Sequence, residues 1–371
     1  MEMIPVQRPS IGEEELKAVG EVFKTGWLGM GSVTKQFEDA VAAFLGAKNV
    51  VSTNTGTTAL HLALDSIGIK QGDEVLVPSL TYVATIQAIT ATGAKPVFCD
   101  IEEDTLNIDV EDVKTKLTKN SRAIMPVHYR GLPCRMDELI DLASKNGLKI
   151  VEDAAHAFGS RYKGKHIGSF GDATCFSFDP VKNITCGEGG AVTTPDPKLT
   201  EIMQRKRILG IDKDTWSRYQ NKRSWFYDVT DQGYRYHMSN INAAIGLVQL
   251  RKMNQMNERR ITISKRYDKK FSGLGKFSTL KTEYDGIGLF MYIIKVREDR
   301  EGLMKFLSER GVGSGIHYIP SHLFTYYKEF RKPLPVTDKI YEQILTLPLF
   351  PDMSDEQADR VVCAILEWER M

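Results

Sequence analysis

Short apolar runs alternate with stretches of helical periodicity through the first half of this chain, and that rhythm constrains the fold more than any other feature. Val50-Val51, Val75 to Val77, Pro96 to Phe98, Ala123 to Pro126 and Ile150-Val151 are each too short to be buried helices. Between them lie helical patterns near 57–67, 81–92, 110–118 and 136–146. A strand covered on both faces reads as an unbroken apolar run, and parallel neighbours need a crossover, usually a helix, to connect them. The pattern therefore predicts an α/β fold: a large, mostly parallel sheet flanked by helices on both faces. Ala173 to Phe178 and Ala191 to Thr194 read as two further strands of the same sheet.

Two helices precede this region. Ser10 and Glu13 form a capping-box pattern ahead of Leu16, Val19 and Phe23. Thr34 opens the second, which carries Phe37, Val41 and Phe44 and stops at Gly46. The last third reads differently. An apolar helix from Ile241 to Leu250 gives way to a charged one over 250–272, followed by a strand Phe290 to Val296, a helix 300–310 and a strand 313–319. A final helix is opened by Ser354 with Gln357 three residues on. At 371 residues the chain has room for two domains. The expectation is a large domain over 1–250, with an N-terminal helical segment, and a small α+β domain over 251–371.

Charge and composition exclude several classes of function. Lys plus Arg number 49 against 48 Asp plus Glu, which argues against general nucleic-acid or acidic-membrane binding. No apolar run approaches the roughly 20 residues that span a bilayer. MEMIPVQRPS has neither a basic nor an apolar leader region, so a cytoplasmic location is expected. The five cysteines are scattered without a C-x-x-C pair, and His317 and His322 stand at a spacing that makes no helical metal face. No metal centre is expected.

Ligands of open α/β sheets collect at the carboxyl ends of the strands, and four segments fall there. Ser52 to Thr58 runs from a strand through Gly56 into a helix, an arrangement that suits a phosphate or serves simply as an N-cap. Pro78 to Tyr82 places an aromatic residue at the head of a helix. Glu152 and Asp153 close an apolar strand, where a carboxylate either meets a cationic ring nitrogen or caps a helix. Lys182 follows the strand ending at Phe178 and precedes the turn Cys186-Gly187-Glu188-Gly189-Gly190. An ordinary lysine, with a pKa of about 10.4, is almost wholly protonated at neutral pH. Shielded beside an aldehyde, it becomes a Schiff-base residue. A lysine, an acid for a pyridine nitrogen, a phosphate cup and a flat lid are what pyridoxal phosphate requires.

With those four segments in hand, the chain resembles the nucleotide-sugar aminotransferases, the DegT/StrS group of fold-type I pyridoxal-phosphate enzymes. The resemblance runs from about residue 4 to 367 and is densest in IVEDAAHAFGSRYKGKHIGSFGDATCFSFDPVKNITCGEGGAV, GYRYHMSNINAAIG, GSGIHYIPSH and ILTLPLFPDMS. It implies that Lys182 is the Schiff-base lysine and that Asp153 partners the ring nitrogen. Tyr82 would stack on the ring, and His156 would lie near the cofactor's O3' side. Thr57, Thr58 and Ser177, with the backbone of Gly56, would hold the phosphate. Arg235 stands where the family often has an Asn that reaches the phosphate of the neighbouring subunit, which implies a homodimer with shared active sites. Phe290 stands where the family usually has His. Trp216, Arg218, Tyr219, Lys222, Arg223, Trp225 and Tyr227 fall in a loop that commonly faces the nucleotide. Trp216, Arg218, Tyr219 and Arg223, together with His317 and Tyr318, are the candidate substrate contacts.

The implied reaction moves an amino group from an amino acid, with glutamate as the expected donor, to a keto carbon of a nucleotide-linked deoxysugar, C4 being favoured. The product would feed surface polysaccharide, including lipopolysaccharide O-antigen, or a glycosylated metabolite. Other readings are the same chemistry on a 3-keto sugar or a cyclitol, a sugar dehydratase on the same scaffold, and a ligand-binding regulatory protein. Relatives with dehydratase activity replace the lysine by histidine, whereas this chain keeps Lys182.

Overall fold

A computed structural model describes residues 2–211 and 227–371. Seven strands form its main sheet: β1 (Asn49–Thr53), β2 (Glu74–Pro78), β3 (Lys95–Cys99), β4 (Ser121–Ile124), β5 (Lys149–Asp153), β8 (Ala173–Ser177) and β9 (Gly190–Thr194), with a two-residue hairpin, β6 (Arg161–Tyr162) and β7 (Lys165–His166), lying outside it. Their order is β1-β9-β8-β5-β4-β2-β3. The pairings from β8 through β3 are parallel, and β9 runs antiparallel to both its neighbours. The mostly parallel sheet expected from the apolar runs is present. Nearly all its residues are buried, as two covered faces require.

A second sheet, β10 (Phe277–Thr279), β11 (Tyr292–Val296) and β12 (Ile344–Leu347), is antiparallel and has its own core around Ile294, Leu345 and Ile365. The stretch 313–319, expected as a strand, contributes one isolated bridge, Gly315 to Thr346. Beyond that bridge it runs as an irregular segment toward Pro320. The helical stretches expected on either side of residue 250 are continuous. One helix, Asn240–Phe271, runs from an apolar first part to a charged second part, because backbone hydrogen bonding is indifferent to that change in side chains. The 250/251 boundary drawn from the sequence therefore falls inside a continuous helix.

The N-terminal helix, Glu13–Thr25, buries Glu15 and Val22 rather than the expected Leu16 and Phe23, which are exposed. Its first turn is held by Glu15, whose carboxylate accepts the Gly12 N–H at 2.9 Å, whereas Ser10 donates to Asp352. Together with Ser32–Leu45 it packs on the long helix. Of the apolar residues in the first part of that helix, Ala244 and Val248 are buried within the chain, and Ile241 and Ile245 are half-buried. No helix among the described residues is long and apolar enough to cross a membrane.

Gly190, at the start of β9, lies against the turn after β1. A Cβ there would stand 2.3 Å from the Thr55 carbonyl oxygen, a backbone atom that cannot step aside. Gly190→Ala is expected to cost about 3 kcal/mol, the range of a forced backbone shift in a packed core, and urea denaturation reads it.

Candidate active site

A cavity of about 460 Å³ opens at the carboxyl ends of β1, β5 and β8. Asp153, Lys182, Gly56, Thr57, Ser177, Tyr82 and His156 line it, with His317 and Tyr318 closing it from the C-terminal part of the chain. Residues expected from four separate segments are therefore brought to one place. A larger cavity, about 750 Å³ around Arg205 and Arg207, contains none of them.

Asp153 is buried at the last position of β5. Its Oδ2 accepts from the Thr85 hydroxyl at 2.7 Å and its Oδ1 from the Ala155 N–H at 3.0 Å. Burial pushes its proton affinity up, opposed by those two donors and by the charge of Lys182. Among the described residues no cation forms an ion pair with it. The carboxylate faces the cavity with lone pairs to spare, and a cationic nitrogen is the partner that would offset its desolvation.

Lys182 lies in the turn after β8, its Nζ 4.7 Å from the centre of the Phe290 ring. Crowding by protein atoms pulls its pKa down to about 8, although Asp179 and Asp153 both favour the charged form. His156, which is buried, stacks on Phe290 at 4.4 Å between ring centres, and its Nε2 lies 3.1 Å from the Tyr318 hydroxyl. Desolvation, reinforced by the charges of Lys182 and His317, holds His156 well below the usual imidazole range. Its Nδ1 is buried with no hydrogen-bond partner among the described residues. Desolvation likewise takes His317 down to about 4, so both imidazoles are neutral at pH 7.

The helix Gly56–Ser66 points its N-terminus into the cavity, with Thr55 as N-cap. A Cβ on Gly56 would stand 2.6 Å from Ser177 Cβ, so only glycine lets the two elements approach this closely. Free N–H groups at a helix start beside two hydroxyls, Thr57 and Ser177, make a cup for an anion. Thr58 is placed differently. It lies outside the cavity wall, and its hydroxyl donates to Asn54 at 2.7 Å and takes the Thr55 N–H at 3.2 Å. Tyr82 caps the next helix, is 54% exposed at the rim, and leans on Tyr318 at 5.4 Å.

Arg235 is exposed and outside this cavity, while its neighbour Tyr236 accepts the Asn54 N–H at 2.6 Å through its carbonyl. Trp216, Arg218, Tyr219, Lys222, Arg223 and Trp225 lie outside the described residues; Tyr227 is exposed. The wall also holds Gln7, Thr85, Asp179, Glu188 and Phe290, of which only Phe290 stood out in the sequence. Thr85 had a legible signal, one turn into the helix that Tyr82 caps. Gln7 had none, because it arrives from the far end of the chain.

The sequence matches the DegT/DnrJ/EryC1/StrS aminotransferase family over residues 9–366. This chain belongs to that family. The spore coat polysaccharide biosynthesis protein SpsC of Bacillus subtilis is 40% identical to it, covering 98% of this chain and 96% of SpsC. Helicobacter pylori PseC, an aminotransferase involved in the biosynthesis of pseudoaminic acid, superposes with a TM-score of 0.94 at 27% identity over 100% of both chains. Spr1654 of Streptococcus pneumoniae, solved in a PLP form, superposes at 0.92 with 31% identity over 99% of each chain, and its PMP form at 0.94 with 32%.

Aminotransferases of the DegT/DnrJ/EryC1/StrS family use pyridoxal phosphate, and the residues here fit that group. Among the described residues the buried Asp153 carboxylate has no ion-pair partner and His156 Nδ1 no hydrogen-bond partner, and Gly56 lets a helix N-terminus approach Ser177 closely enough to form an anion cup.

A depressed lysine destabilises the folded state. Below about pH 8 both folded and unfolded chains hold the proton, so the whole penalty applies; it fades as pH rises toward the ordinary value of about 10.4. In the cofactor-free protein, Lys182→Met is therefore expected to raise stability at pH 7 by about 3 kcal/mol. The gain should shrink steadily in melts run between about pH 8 and 9.5.

Proposed function

We propose that this chain is a pyridoxal-phosphate aminotransferase that transfers an amino group from an amino acid, L-glutamate by the family resemblance, to the keto carbon of a nucleotide-linked deoxysugar, at C4. The observation that carries the reading is Lys182, with its pKa lowered to about 8, sharing one cavity with a buried, cation-free Asp153. Similarity to SpsC and PseC supports a sugar as acceptor.

When bound, pyridoxal phosphate supplies the carbonyl that takes up the amino group and a ring that stores the electron pair left at the donor carbon. Each other role falls to a residue of the chain. Asp153 holds a proton on the ring nitrogen by charge, and Thr85 keeps that carboxylate aimed. Gly56, Thr57 and Ser177 bind the phosphate. Lys182 Nζ, with a far larger neutral fraction than an ordinary lysine, would take the proton from the donor carbon and deliver it to the C4' carbon of the bound group. Neutral His156 offers its free Nδ1 to the phenolic oxygen side, and Tyr82 covers the exposed face. His317 and Tyr318 form the wall the sugar would meet.

Borohydride added to the yellow holoprotein is expected to fix the cofactor on the peptide containing Lys182; label on another lysine sinks the assignment. Asp153→Asn preserves shape and removes charge, so turnover should fall about a thousandfold or more while the melting temperature changes little. Survival of activity within a few-fold would leave Asp153 only a turn-stabilising group that accepts the Ala155 N–H, since no helix follows β5 for it to cap. Release of 2-oxoglutarate from glutamate, tested across UDP-, dTDP- and GDP-linked 4-keto and 3-keto sugars, reads the acceptor.

The working unit is proposed to be a homodimer in which Arg235 reaches the phosphate in the partner's cavity. Mixing Lys182→Ala with Arg235→Ala chains after dissociation should restore part of the activity, because one site of the mixed dimer then carries neither lesion. No recovery in mixed dimers, with Arg235→Ala itself impaired, rejects sharing.

A further inference from the structure

Arg260 is a buried guanidinium, 4% exposed, that has no carboxylate partner among the described residues. Its Nη2 donates to the Asn183 carbonyl at 3.2 Å and approaches the Lys182 carbonyl at 3.5 Å, while Nη1 is buried with no acceptor among the described residues. Desolvation lowers its pKa only to about 10, so it stays charged at neutral pH. A buried cation without a counter-ion is costly, and what it touches instead is the backbone of the cavity lysine.

The surrounding contacts converge on the same turn. Asn183 is buried, and its Nδ2 donates to the carbonyls of Gly288 at 3.0 Å and Leu289 at 3.3 Å. Asn257, one turn before Arg260 on the same helix, donates to the Ile287 carbonyl at 2.7 Å and accepts the Leu289 N–H at 2.9 Å. Residues 287–289 lead directly to Phe290, whose ring lies against Lys182 Nζ. One face of the long helix thus holds both the turn that carries the amine and the segment that carries the ring beside it. Arg260, Asn257 and Asn183 are all absent from the cavity wall.

We infer that Arg260 is a positioning residue for Lys182: with Asn257 and Asn183 it clamps the lysine turn so that Nζ stays against Phe290 and aimed into the cavity. The inference rests on the reading of Lys182 as the reacting amine. A clamp of this kind acts on geometry. Releasing the turn would let Nζ swing toward water, away from Phe290 and from the groups that face it, Asp153, Asp179, His156 and His317. A displacement of about 1 Å at a reacting atom can cost up to two orders of magnitude in rate.

The test uses the full chain. In cofactor-free protein, modification of Lys182 by acetic anhydride is followed across pH by peptide mass spectrometry, beside the melting temperature. In reconstituted protein the glutamate half-reaction is measured. Wild type should titrate near 8. Arg260→Met should raise that midpoint by about half a pH unit or more and lower kcat by about tenfold, leaving KM for glutamate within about twofold. Arg260→Lys should recover part of both losses, and Asn257→Ala, a milder lesion that serves if Arg260→Met does not fold, should move both in the same direction. Folded variants whose melting temperature drops while midpoint and kcat stay at wild-type values overturn the clamp. A wild type whose Lys182 titrates like a surface lysine and takes no borohydride label overturns the underlying reading, and the inference with it.

Discussion

Asp153 stands at the carboxyl end of β5, the central strand of the sheet, where burial penalises its charge and two neutral donors only partly offset the penalty. Its place depends on register. Its N–H is held by the Pro126 carbonyl and its own carbonyl by the His128 N–H, so the exits of β4 and β5 are fixed together. Beside it Glu152, fully buried, accepts from the Gly171 N–H, the Thr174 hydroxyl and His128 Nε2. His128 Nδ1 takes the Cys134 N–H, which leaves Nε2 to face Glu152. One acid of the pair is thus saturated by protein donors. The other is left open to a ligand, and the difference between structure and chemistry on this strand is a difference in hydrogen-bond accounting.

Close approach does for the phosphate cup what charge does for Asp153. The turn after β1 is pressed from two sides, by Ser177 against Gly56 and by Gly190 against the Thr55 carbonyl. Because β9 runs antiparallel between β1 and β8, the end of β1 and the end of β8 share Gly190 as a neighbour. The glycines of the run 186–190 therefore serve two ends at once. They turn the chain after Lys182 and bring the helix N-terminus within reach of Ser177.

What was legible in the sequence was local. Lys182 and Asp153 each follow an apolar run, and a run that ends in a charged residue marks a strand end whatever the rest of the fold does. The misreadings have physical causes. Leu16 and Phe23 keep helical spacing, yet periodicity identifies an apolar stripe without saying what covers it; here Val22 and Glu15 face inward instead. The stretch 313–319 reads as a strand, but it bridges only at Gly315 and supplies His317 and Tyr318 to the cavity wall. The stacking of His156 on Phe290 joins positions far apart in sequence, and no local pattern encodes it. The same holds for Arg260, which reads in sequence as one more charge on a charged helix.

The aromatic wall bears on which protonation state of Lys182 prevails. The face of Phe290 attracts an ammonium by about 0.5–2 kcal/mol, and Asp179 and Asp153 add further attraction for the charged form. Each of these, alone, would raise the lysine's proton affinity. The net shift is downward, so loss of water outweighs the attraction of the two carboxylates. His156 and His317 stay neutral and supply no repulsive charge at neutral pH, which leaves dryness as the dominant force. A polar side chain at position 290 would return to Nζ some of the solvation that the phenyl ring denies it. Phe290 therefore acts through what it withholds from the amine rather than through a bond to it.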